Sequence, residues 1–360
     1  MNKLKKINLM ISTDPEGQGG IATVVTGYHQ NTLIDDMAFI SINTHSSSNK
    51  NRLSAIILFL SSLLKIIFHG RRKKLGIAHI HMSSRGSYIR KSIILRLTKF
   101  LGAKTIIHLH SGEFEMFYNK ECSERKKQHI RATFNMADRI VVLSKSSLQW
   151  VNTIVKNVDK ACIVYNASPE VDLPERSTKQ KNILFLGRLN QNKGIEDLIN
   201  SFAKIATAHP EIQLQLAGDG DITRYKTQAI KLGIASRVDF LGWISGLSKS
   251  QCLANATIYC LPSYNEAFPM GILEAMSANV AVVASTTGGI PDAITHNKEG
   301  LLIEAGNVDA LAKALNILLE NDDLRQEYVK AAKKKYLNNF SPDVIIPQLN
   351  NIYKELLEQK

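Results

Sequence analysis

Short, almost wholly apolar runs recur along this chain of 360 residues, and longer stretches of mixed polarity separate them. Runs of this kind are typical of strands that are buried on both faces of a parallel sheet. The first set comprises residues 7–11, 38–42, 77–81, 105–110, 139–143 and 162–165. A second set comprises residues 183–186, 213–217, 238–241, 258–261 and 280–284. The chain is therefore predicted to form two parallel sheets.

The segments between the runs have the periodicity of helices that cover a sheet. Two of them show it in apolar residues at helical spacing: Leu198, Ile199, Phe202 and Ile205, then Leu311, Ala314, Leu315 and Leu318. The sequence thus predicts the α/β class, with two doubly wound, Rossmann-like domains facing each other across a cleft. In such folds ligands bind beyond the carboxyl ends of the strands, so we expect the functional site in that cleft.

A polar stretch with two prolines and several charged residues separates the two sets of runs. Its composition is typical of a linker between domains. We therefore predict a first domain over residues 1–168, a linker over 169–181 and a second domain over 182–341. A C-terminal helix over 342–360 could pack back on the first domain.

The formal net charge of +13 is distributed unevenly along the chain. Residues 1–175 hold 25 Lys and Arg against 13 Asp and Glu, whereas residues 176–360 hold 20 against 19. No Asp or Glu occurs over residues 37–112, which hold 13 basic residues including Arg71, Arg72, Lys73 and Lys74. Such a field attracts anionic lipids, lipid-linked phosphates or nucleic acid, and charge alone does not choose among them.

One apolar run, residues 53–68, is longer than the others. It includes Lys65 and is shorter than the roughly 20 residues that cross a bilayer, so it is either an ordinary packed helix or a membrane-contacting one. The four cysteines have neither C-x-x-C pairing nor metal-ligand spacing. That pattern suits a reducing compartment, and a cytoplasmic location is expected.

Glycines and cations follow the first strand of each predicted sheet. Gly17, Gly19 and Gly20 form either a plain tight turn or a loop whose N–H groups approach an anion. Arg188 and Lys193, just before a helix, could clamp a diphosphate or could simply be solvated loop charges.

Two glutamates, Glu266 and Glu274, flank a predicted helix start at Pro269. Glu266 then lies on a loop after a strand and Glu274 lies inside the helix, so they need not be an acid/base pair of the hydrolase type. A loop carboxylate can accept hydrogen bonds from sugar hydroxyls, and the helix N-terminus offers N–H groups to a phosphate.

The order and spacing of these fragments resemble family 4 of the retaining glycosyltransferases, which have the GT-B fold. The resemblance covers nearly the whole chain. In the first half it rests on Gly19-Gly20, His79-Ile80-His81, His108-Leu109-His110-Ser111, residues 137–142 with Ser144, and Val164-Tyr165-Asn166. In the second half it rests on Gly187-Arg188, Lys193-Gly194, residues 216–220, Phe240-Leu241-Gly242, Glu266 with Glu274, and Gly288-Gly289-Ile290-Pro291.

The resemblance implies a role for each candidate residue. Arg188 and Lys193 would hold the diphosphate of a nucleotide sugar and stabilise the leaving group. Glu266 would bind hydroxyls of the donor sugar, and Glu274 would bind the nucleotide ribose. His110 matches a histidine near the reacting sugar carbon, whereas structural roles are expected for His79, His81 and His108. The remaining candidates are Gly19 and Gly20 against the diphosphate or sugar, Gly242 and Trp243 at the base, and the donor-binding segment Ala267, Phe268, Met270 and Gly271.

One departure from the family pattern and one further motif bear on the donor. Ala267 and Pro269 stand where small residues or glycine are usual, and a proline cannot donate a backbone N–H to the sugar. Asp219 and Asp221 form a D-x-D that could suggest a metal–diphosphate site. In the family this position is a turn and catalysis is independent of metal, so no metal and no cofactor are expected.

These implications predict a retaining, metal-independent hexosyltransferase that uses a nucleotide sugar, with UDP favoured. The expected acceptor is a polyprenyl-diphosphate-linked or lipid A core glycan, used for O-antigen, capsule, exopolysaccharide or lipopolysaccharide. The basic first half predicts a peripheral enzyme on the inner face of the cytoplasmic membrane. A nucleotide-sugar 2-epimerase of the same fold and a basic nucleic-acid-binding protein are the alternatives, although scattered aromatics give no stacking platform and nucleic acid is not the expected partner.

Overall fold

The computed structural model describes residues 6–14, 17, 19–29, 37, 39–46, 51–72, 74–175 and 181–358. The chain divides into two compact units. The first comprises Met1–Ala167 with Pro342–Lys360, and the second comprises Ser168–Ser341. Each unit is built on a six-stranded sheet in which every described strand pair is parallel. The predicted α/β class is therefore confirmed.

The sheet of the first unit has the strand order β2-β1-β3-β4-β5-β6. Its strands are β1 (Ile7–Ser12), β2 (Phe39–Asn43), β3 (Leu75–Met82), β4 (Lys104–Leu109), β5 (Arg139–Val142) and β6 (Ala161–Ile163). Each lies on a predicted apolar run, with its ends shifted by one or two residues. All residues of β3 are buried, because helices cover this central strand on both faces of the sheet.

The connections in this part of the first unit are mostly helical. They are α1 (Gly20–His29), α2 (Arg52–Arg72), α3 (Gly86–Phe100), α4 (Phe114–Met116) with a π-helical turn at Phe117–Glu121, α5 (Glu124–Met136) and α6 (Lys145–Ile154). Side-chain caps begin two of them: Ser123 Oγ accepts from the N–H of Lys126, and Ser144 Oγ accepts from that of Ser147.

The sheet of the second unit has the strand order β12-β11-β10-β7-β8-β9. Its strands are β7 (Asn182–Leu186), β8 (Gln213–Ala217), β9 (Val238–Gly242), β10 (Ile258–Leu261), β11 (Ala281–Ser285) and β12 (Leu301–Ile303). The strand β12 is absent from the sequence prediction, because an edge strand of three residues is too short to give a recognisable apolar run.

The helices of the second unit cover both faces of its sheet. They are α7 (Ile195–Ala206), α8 (Ile222–Lys231), α9 (Gly246–Asn255), α10 (Met270–Ser277), α11 (Ile290–Ala293), α12 (Val308–Glu320) and α13 (Asp322–Asn339). The predicted apolar stripes of α7 and α12 are buried, as the helical spacing of their leucines and isoleucines requires.

The final helix, α14 (Pro342–Glu358), belongs to the first unit. It lies against β3, where the hydroxyl of the fully buried Tyr353 is 2.7 Å from Nδ1 of His79. Arg139 on β5 also donates to Glu355 at 2.8 Å. These contacts attach α14 to two strands of the sheet.

The structure describes the predicted linker in part, since residues 176–180 lie outside the described ranges. The part of the predicted linker before residue 176 belongs to the second unit and contacts it. The N–H of Val171 donates to Ser277 Oγ at 3.4 Å, and Glu170 forms an ion pair with Lys333. The second unit thus begins at Ser168, upstream of the predicted start at residue 182.

The strand order reverses once in each sheet. The chain leaves β1 for β2 on one side and then continues to β3 on the other, and in the second unit β7 lies between β8 and β10. Ligands of doubly wound folds bind at this switch point, beyond the carboxyl ends of the two central strands. The relevant ends are those of β1 and β3 in the first unit and of β7 and β10 in the second.

Candidate functional site

Arg188 lies two residues after the end of β7 and forms an ion pair with Asp219, which follows β8. The distance between Nη2 and Oδ2 is 3.1 Å, and the pairing raises the pKa of the guanidinium. The Arg188 side chain is 67% exposed, so a ligand can reach it. The other member of the D-x-D, Asp221, caps α8 by accepting a hydrogen bond from the N–H of Arg224.

Lys193 lies in the turn between β7 and α7, and its Nζ is 2.5 Å from Oε1 of the buried Glu266. Gly194 brings this turn against the end of β10. Its φ is +69°, and a Cβ at this position would lie 2.2 Å from the carbonyl oxygen of Pro262. A side chain is therefore excluded on two grounds, and the glycine permits the contact between the ends of β7 and β10.

Glu266 is held at the end of β10 by a second hydrogen bond, in which Ser263 Oγ donates to its Oε1 at 2.8 Å. With Lys193 as the other donor, one carboxylate oxygen has two partners from the protein. The arrangement fixes the carboxylate in place and compensates part of its loss of hydration.

Glu274 lies in the short helix α10, which begins immediately after Pro269 as the sequence predicts. It is buried, and Lys249 on α9 donates to its Oε1 at 2.7 Å. The pair again joins a cation from one connection to a carboxylate from another. Lys249 is a residue that sequence reasoning missed, because nothing in the spacing of residues 249 and 274 indicates that they meet.

Tyr259 on β10 lies under the start of α10 and is fully buried. A Cβ on Gly271 would lie 2.1 Å from its hydroxyl oxygen, so the helix can approach the strand this closely only with glycine there. Burial, followed by the charges of Glu266 and Glu274, raises the pKa of this phenol well above its usual value. Its hydroxyl therefore stays protonated beside the two carboxylates.

The other candidate residues of the second unit differ in which of their groups a ligand could contact. Met270 and Gly271 open α10, where the N–H groups of the first turn have no acceptor within the helix. The side chain of Phe268 is buried and packs on Phe340, with ring centroids 5.3 Å apart, so only its backbone is available to a ligand. Ala267 is half-buried on the same loop. At the end of β9, Gly242 precedes Trp243, whose indole is 45% exposed.

The candidates of the first unit follow β1 and β4 along the chain. Gly19 lies in the connection between β1 and α1, and Gly20 is the first residue of α1. No described heavy atom is within 4 Å of a Cβ built on either. His110 directly follows β4, and its Nε2 is 2.7 Å from Nδ1 of His81. That His110 and the Gly19-Gly20 loop face the second unit across a cleft stays a prediction.

His110 is one of four stacked histidines, and the cluster consists of His79, His81, His108 and His110. The rings of His108 and His110 have centroids 4.2 Å apart, and Nε2 of His79 is 3.0 Å from Nδ1 of His108. Burial lowers the pKa of His79 and His110 to about 3 and those of His81 and His108 well below the usual value. The cluster is therefore neutral near physiological pH.

Three of these histidines also form the one group in the described part of the chain with the geometry for a metal ion. The ligand atoms of His79, His81 and His108 lie within 4.8 Å of one another. Their nitrogens already contact the hydroxyl of Tyr353, Sδ of Met10, Nε2 of His110 and each other. Of the nitrogens of these three described rings, Nε2 of His108 has no hydrogen-bond partner. Sequence spacing gave no such group, because the three residues come from two strands.

Lys91 is a second residue that sequence reasoning missed. It is buried at the end of β1, where its Nζ donates to the carbonyl of Ser12 at 3.0 Å and to Thr44 Oγ1 at 2.5 Å. Burial lowers its pKa well below the usual value. A signal was available, because Lys91 lies at helical spacing from the apolar Tyr88, Ile94 and Leu95 on the inner face of α3.

Comparisons with known proteins agree with this architecture. Residues 172–335 match the sequence profile of the family described as Glycosyl transferases group 1. The chain is 35% identical over 237 residues to an uncharacterised glycosyltransferase, MJ1607, of Methanocaldococcus jannaschii, which covers 61% of this chain and 60% of that protein. It is 32% identical to a phosphatidyl-myo-inositol mannosyltransferase of Mycobacterium leprae, over 48% of this chain and 46% of that protein. The chain thus spans less than two thirds of these relatives.

Solved structures extend the likeness to almost the whole chain. The Anabaena protein Alr3699/HepE, solved in complex with UDP and glucose, has a TM-score of 0.76 and covers 97% of this chain and 100% of its own. The two sequences are 16% identical, so this likeness concerns the fold alone. The fold is a two-domain α/β fold of the GT-B type. Over the matched residues, the chain is thus similar to proteins named as glycosyltransferases.

Proposed function

We propose that the protein transfers a sugar from a nucleotide-diphosphate sugar, with UDP as the nucleotide, to an acceptor hydroxyl with retention of the anomeric configuration. The observation that carries the proposal is the meeting of Lys193 with Glu266 at the switch point between β7 and β10. A cation for a phosphate and a carboxylate for sugar hydroxyls are there within one hydrogen bond of each other. A nucleotide sugar requires those two functions side by side.

Two cations serve the diphosphate. Arg188 is mostly exposed and paired with one surface carboxylate, so its fork of donors can turn to phosphate oxygens at little cost. Lys193 is less exposed and brings its charge between Glu266 and the leaving group. The N–H groups of Met270 and Gly271 at the start of α10 add the positive end of the helix dipole.

The remaining donor groups take the sugar and the nucleoside. Glu266, fixed by Ser263 and Lys193, accepts hydrogen bonds from sugar hydroxyls, and Glu274 accepts them from the ribose. The exposed indole of Trp243 stacks on the base beside the backbone of Gly242. Pro269 offers no N–H, so sugar preference rests on the side chains more than on this part of the backbone.

In the transfer step, the bond between the anomeric carbon and the diphosphate oxygen breaks, and the acceptor oxygen bonds to that carbon on the same face. The acceptor proton passes to an oxygen of the departing diphosphate. The protein contributes positioning and charge stabilisation through Arg188 and Lys193. His110, which is neutral, contacts the donor or acceptor near the reacting carbon. The proposal involves no metal, and Asp219 and Asp221 are engaged by Arg188 and by the start of α8.

The acceptor we propose is a lipid-linked glycan of a surface polysaccharide, carried on a polyprenyl diphosphate or on a lipid A core. The support is the excess of basic over acidic residues in the first half of the chain, which suits a phosphate-bearing lipid. One relative is named for mannosyl transfer to phosphatidyl-myo-inositol, which is also a lipid.

The test is turnover of UDP-, GDP- and dTDP-sugars with and without extracted lipid-linked acceptors, measured as release of nucleoside diphosphate. Wild type is expected to release UDP, and Glu274→Ala to lose about a hundredfold or more of that rate. Glu320→Ala, at the exposed end of α12 in the same unit, is the matched control and should keep the wild-type rate.

Other outcomes would contradict the proposal. Inversion at carbon 2 of UDP-N-acetylglucosamine without acceptor would indicate an epimerase. Salt-dependent binding of DNA or RNA that survives Glu274→Ala, with no UDP released from any donor, would indicate a nucleic-acid-binding protein. Melting temperatures of the variants separate loss of the site from loss of the fold.

A further inference from the structure

The helix α2 has its apolar side turned away from the protein. Over Leu53–Arg72 it is long and apolar enough to cross a membrane, with a mean hydropathy of 1.9. A core helix of this composition would be mostly buried, but only 11% of this segment is buried. Its large exposed side chains are Leu53, Ile56, Ile57, Leu60, Leu64 and Phe68, each between 49% and 68% exposed. At 3.6 residues per turn they lie within an arc of roughly 120°.

The face of α2 that packs on the sheet is less apolar than the face that points away from the protein. It presents Phe59, Leu63 and Ile66 together with the hydroxyl of Ser62, and Gly70 follows one turn later. In a helix whose apolar residues serve only the core, the polar face points to water. Here the reverse holds, so the core does not explain the outer row of leucines and isoleucines.

The neighbouring helix α3 extends this apolar area. Ile89, Ile93 and Phe100 are 52%, 43% and 87% exposed and recur at helical spacing. The two helices approach closely near their carboxyl ends, where a Cβ on Gly70 would lie 2.8 Å from Cδ1 of Leu101. We call the outer row of α2 together with these three residues the α2–α3 surface. Patches of exposed apolar residues on this scale mark interaction sites.

Cations border the α2–α3 surface. Lys65, Arg71, Arg72 and Lys74 are exposed, and the guanidinium of Arg72 lies 4.3 Å from the ring centroid of Phe68. Lys73 lies outside the described residues. No acidic residue occurs anywhere over residues 37–112, so no carboxylate from this stretch offsets their charge. An apolar stripe bordered by basic residues is compatible with an anionic lipid surface, because the apolar side chains suit the acyl chains and the cations suit the lipid phosphates.

We propose that the α2–α3 surface docks the first unit on an anionic phospholipid bilayer, with α2 lying in the plane of the interface. The inference rests on the proposed function in one respect, because the bilayer would carry the lipid-linked acceptor. The helix does not span, because it is the crossover between β2 and β3 and packs on their sheet through Phe59, Leu63 and Ile66. Its outer side chains enter the boundary between headgroups and acyl chains, and its cations contact lipid phosphates.

A second copy of the chain is the other occupant that an apolar face could take. Pairing two copies through this face would bring together two surfaces that carry basic residues and no carboxylates from 37–112, so charge opposes it. Lipid phosphates, in contrast, neutralise the same residues. The charge pattern therefore favours the bilayer.

The first experiment measures co-sedimentation of the full chain with phosphatidylcholine vesicles that contain or lack phosphatidylglycerol. Leu60→Gln, Leu64→Gln and Phe68→Gln combined should lower the partition coefficient on both kinds of vesicle by about ten-fold or more, because three exposed side chains lose their apolar burial. Ile230→Gln on α8, which is 66% exposed in the second unit, is the matched control and should bind like wild type.

The charges are tested separately from the apolar row. Arg71→Gln with Arg72→Gln should weaken binding to vesicles with phosphatidylglycerol by about thirty-fold, because each basic residue near the surface contributes about 1 kcal/mol, and should reduce the dependence of binding on salt. Binding to vesicles of phosphatidylcholine alone should be unchanged by this double variant.

Insertion of α2 itself is tested with Leu64→Trp. Its fluorescence should shift to the blue on vesicles and be quenched by lipids brominated along the acyl chain. The proposal is overturned if the triple Gln variant binds as wild type does, if Leu64→Trp is not quenched, or if wild type does not bind vesicles. In the last case, a dimer in light scattering that the triple variant abolishes would identify a second copy of the chain as the occupant.

The outcome is separable from that of the proposed function. The triple Gln variant should hydrolyse the nucleotide sugar in solution at the wild-type rate, because its substitutions lie on an exposed face of the first unit. Vesicle binding without any donor turnover would contradict the proposed function and would still support the docking proposal. Donor turnover without vesicle binding would do the opposite.

Discussion

The two units share one scaffold and differ in the chemistry at the ends of their strands. Each has a six-stranded parallel sheet with a single reversal of strand order. In the second unit the polar groups there are ions in pairs, Lys193 with Glu266 and Lys249 with Glu274. In the first unit they are the neutral histidine cluster. The scaffold supplies positions, and the residues that follow each strand decide which ligand those positions suit.

The difference has a physical reading in terms of ligand charge. Ion pairs can open and exchange a carboxylate for a phosphate, so the second unit suits an anionic donor. Neutral imidazoles neither attract nor repel the charges of a donor, and they can hydrogen-bond hydroxyls from either side. Exposed cations of the first unit lie on α2 and on the segment after it, among them Lys65, Arg71, Arg72 and Lys74.

The largest expected effect falls on the ion pairs of the second unit. Lys193→Met removes a positive charge from the leaving group and should lower kcat for UDP release by about 10²- to 10³-fold. The measurement is steady-state turnover of the UDP-sugar.

Lys313→Met, an exposed lysine on α12, is the matched control for charge and length. A variant at Lys193 that is folded and as active as this control would show that the second unit binds its donor without the pair. The ion pairs would then not be what distinguishes the second unit from the first as a binding site.

The next effect concerns the contact between the ends of β7 and β10. Gly194 and Gly233 have nearly the same φ, +69° and +70°, but a Cβ would lie 2.2 Å from the carbonyl oxygen of Pro262 at Gly194 and would meet no described atom within 4 Å at Gly233. Gly233→Ala should cost about 1 kcal/mol of unfolding free energy through backbone strain alone, and Gly194→Ala about 3 kcal/mol or more.

Urea unfolding of the two variants measures the difference. Equal costs would mean that the end of β10 moves aside freely, so that the switch point of the second unit is not fixed by this contact. In that case the ion pairs alone would hold Lys193 beside Glu266.

The smallest effect is a pH dependence confined to the first unit. The clustered histidines have pKa values lowered from an unfolded value of about 6.5, so the unfolded chain binds more protons as the pH falls below that value. Each histidine that stays neutral therefore costs the folded state about 1.4 kcal/mol per pH unit over that range. Stability is present above about pH 6.5 and is lost on acidification.

His108→Phe should make this slope shallower by about one proton, since it removes one titrating ring from the stack. Trp150, buried in the first unit, reports its unfolding in a Trp243→Phe background. An unchanged slope would show that His108 is protonated in the folded state, and the contrast between a neutral and an ionic unit would then disappear.

Much of the fold could be predicted from the sequence, because strands buried on both faces must be apolar throughout. The apolar runs located every strand except β12, whose three residues are too few for a pattern. Pro269 located the start of α10, since a proline there loses no helical hydrogen bond.

The hydrogen-bond and ion-pair partners of the candidate site residues could not be predicted from the sequence. Lys249 meets Glu274 and Asp219 meets Arg188 because separate connections converge at one edge of the sheet, and spacing along the chain does not record that. The four histidines were visible as residues, but their stacking depends on the register of β3 with β4, in which His81 pairs with His108. The orientation of α2 was also open, because both of its faces contain apolar residues.

The placement of α14 affects the order in which the protein can fold during synthesis. This helix supplies Tyr353 to His79, and it is translated only after every residue of the second unit. Nascent domains fold as units while the ribosome is still extending the chain. The second unit can therefore complete its sheet on the ribosome, while the first unit, although made earlier, leaves part of β3 uncovered until translation reaches α14. A chaperone that shields apolar strands would meet the older half of this chain.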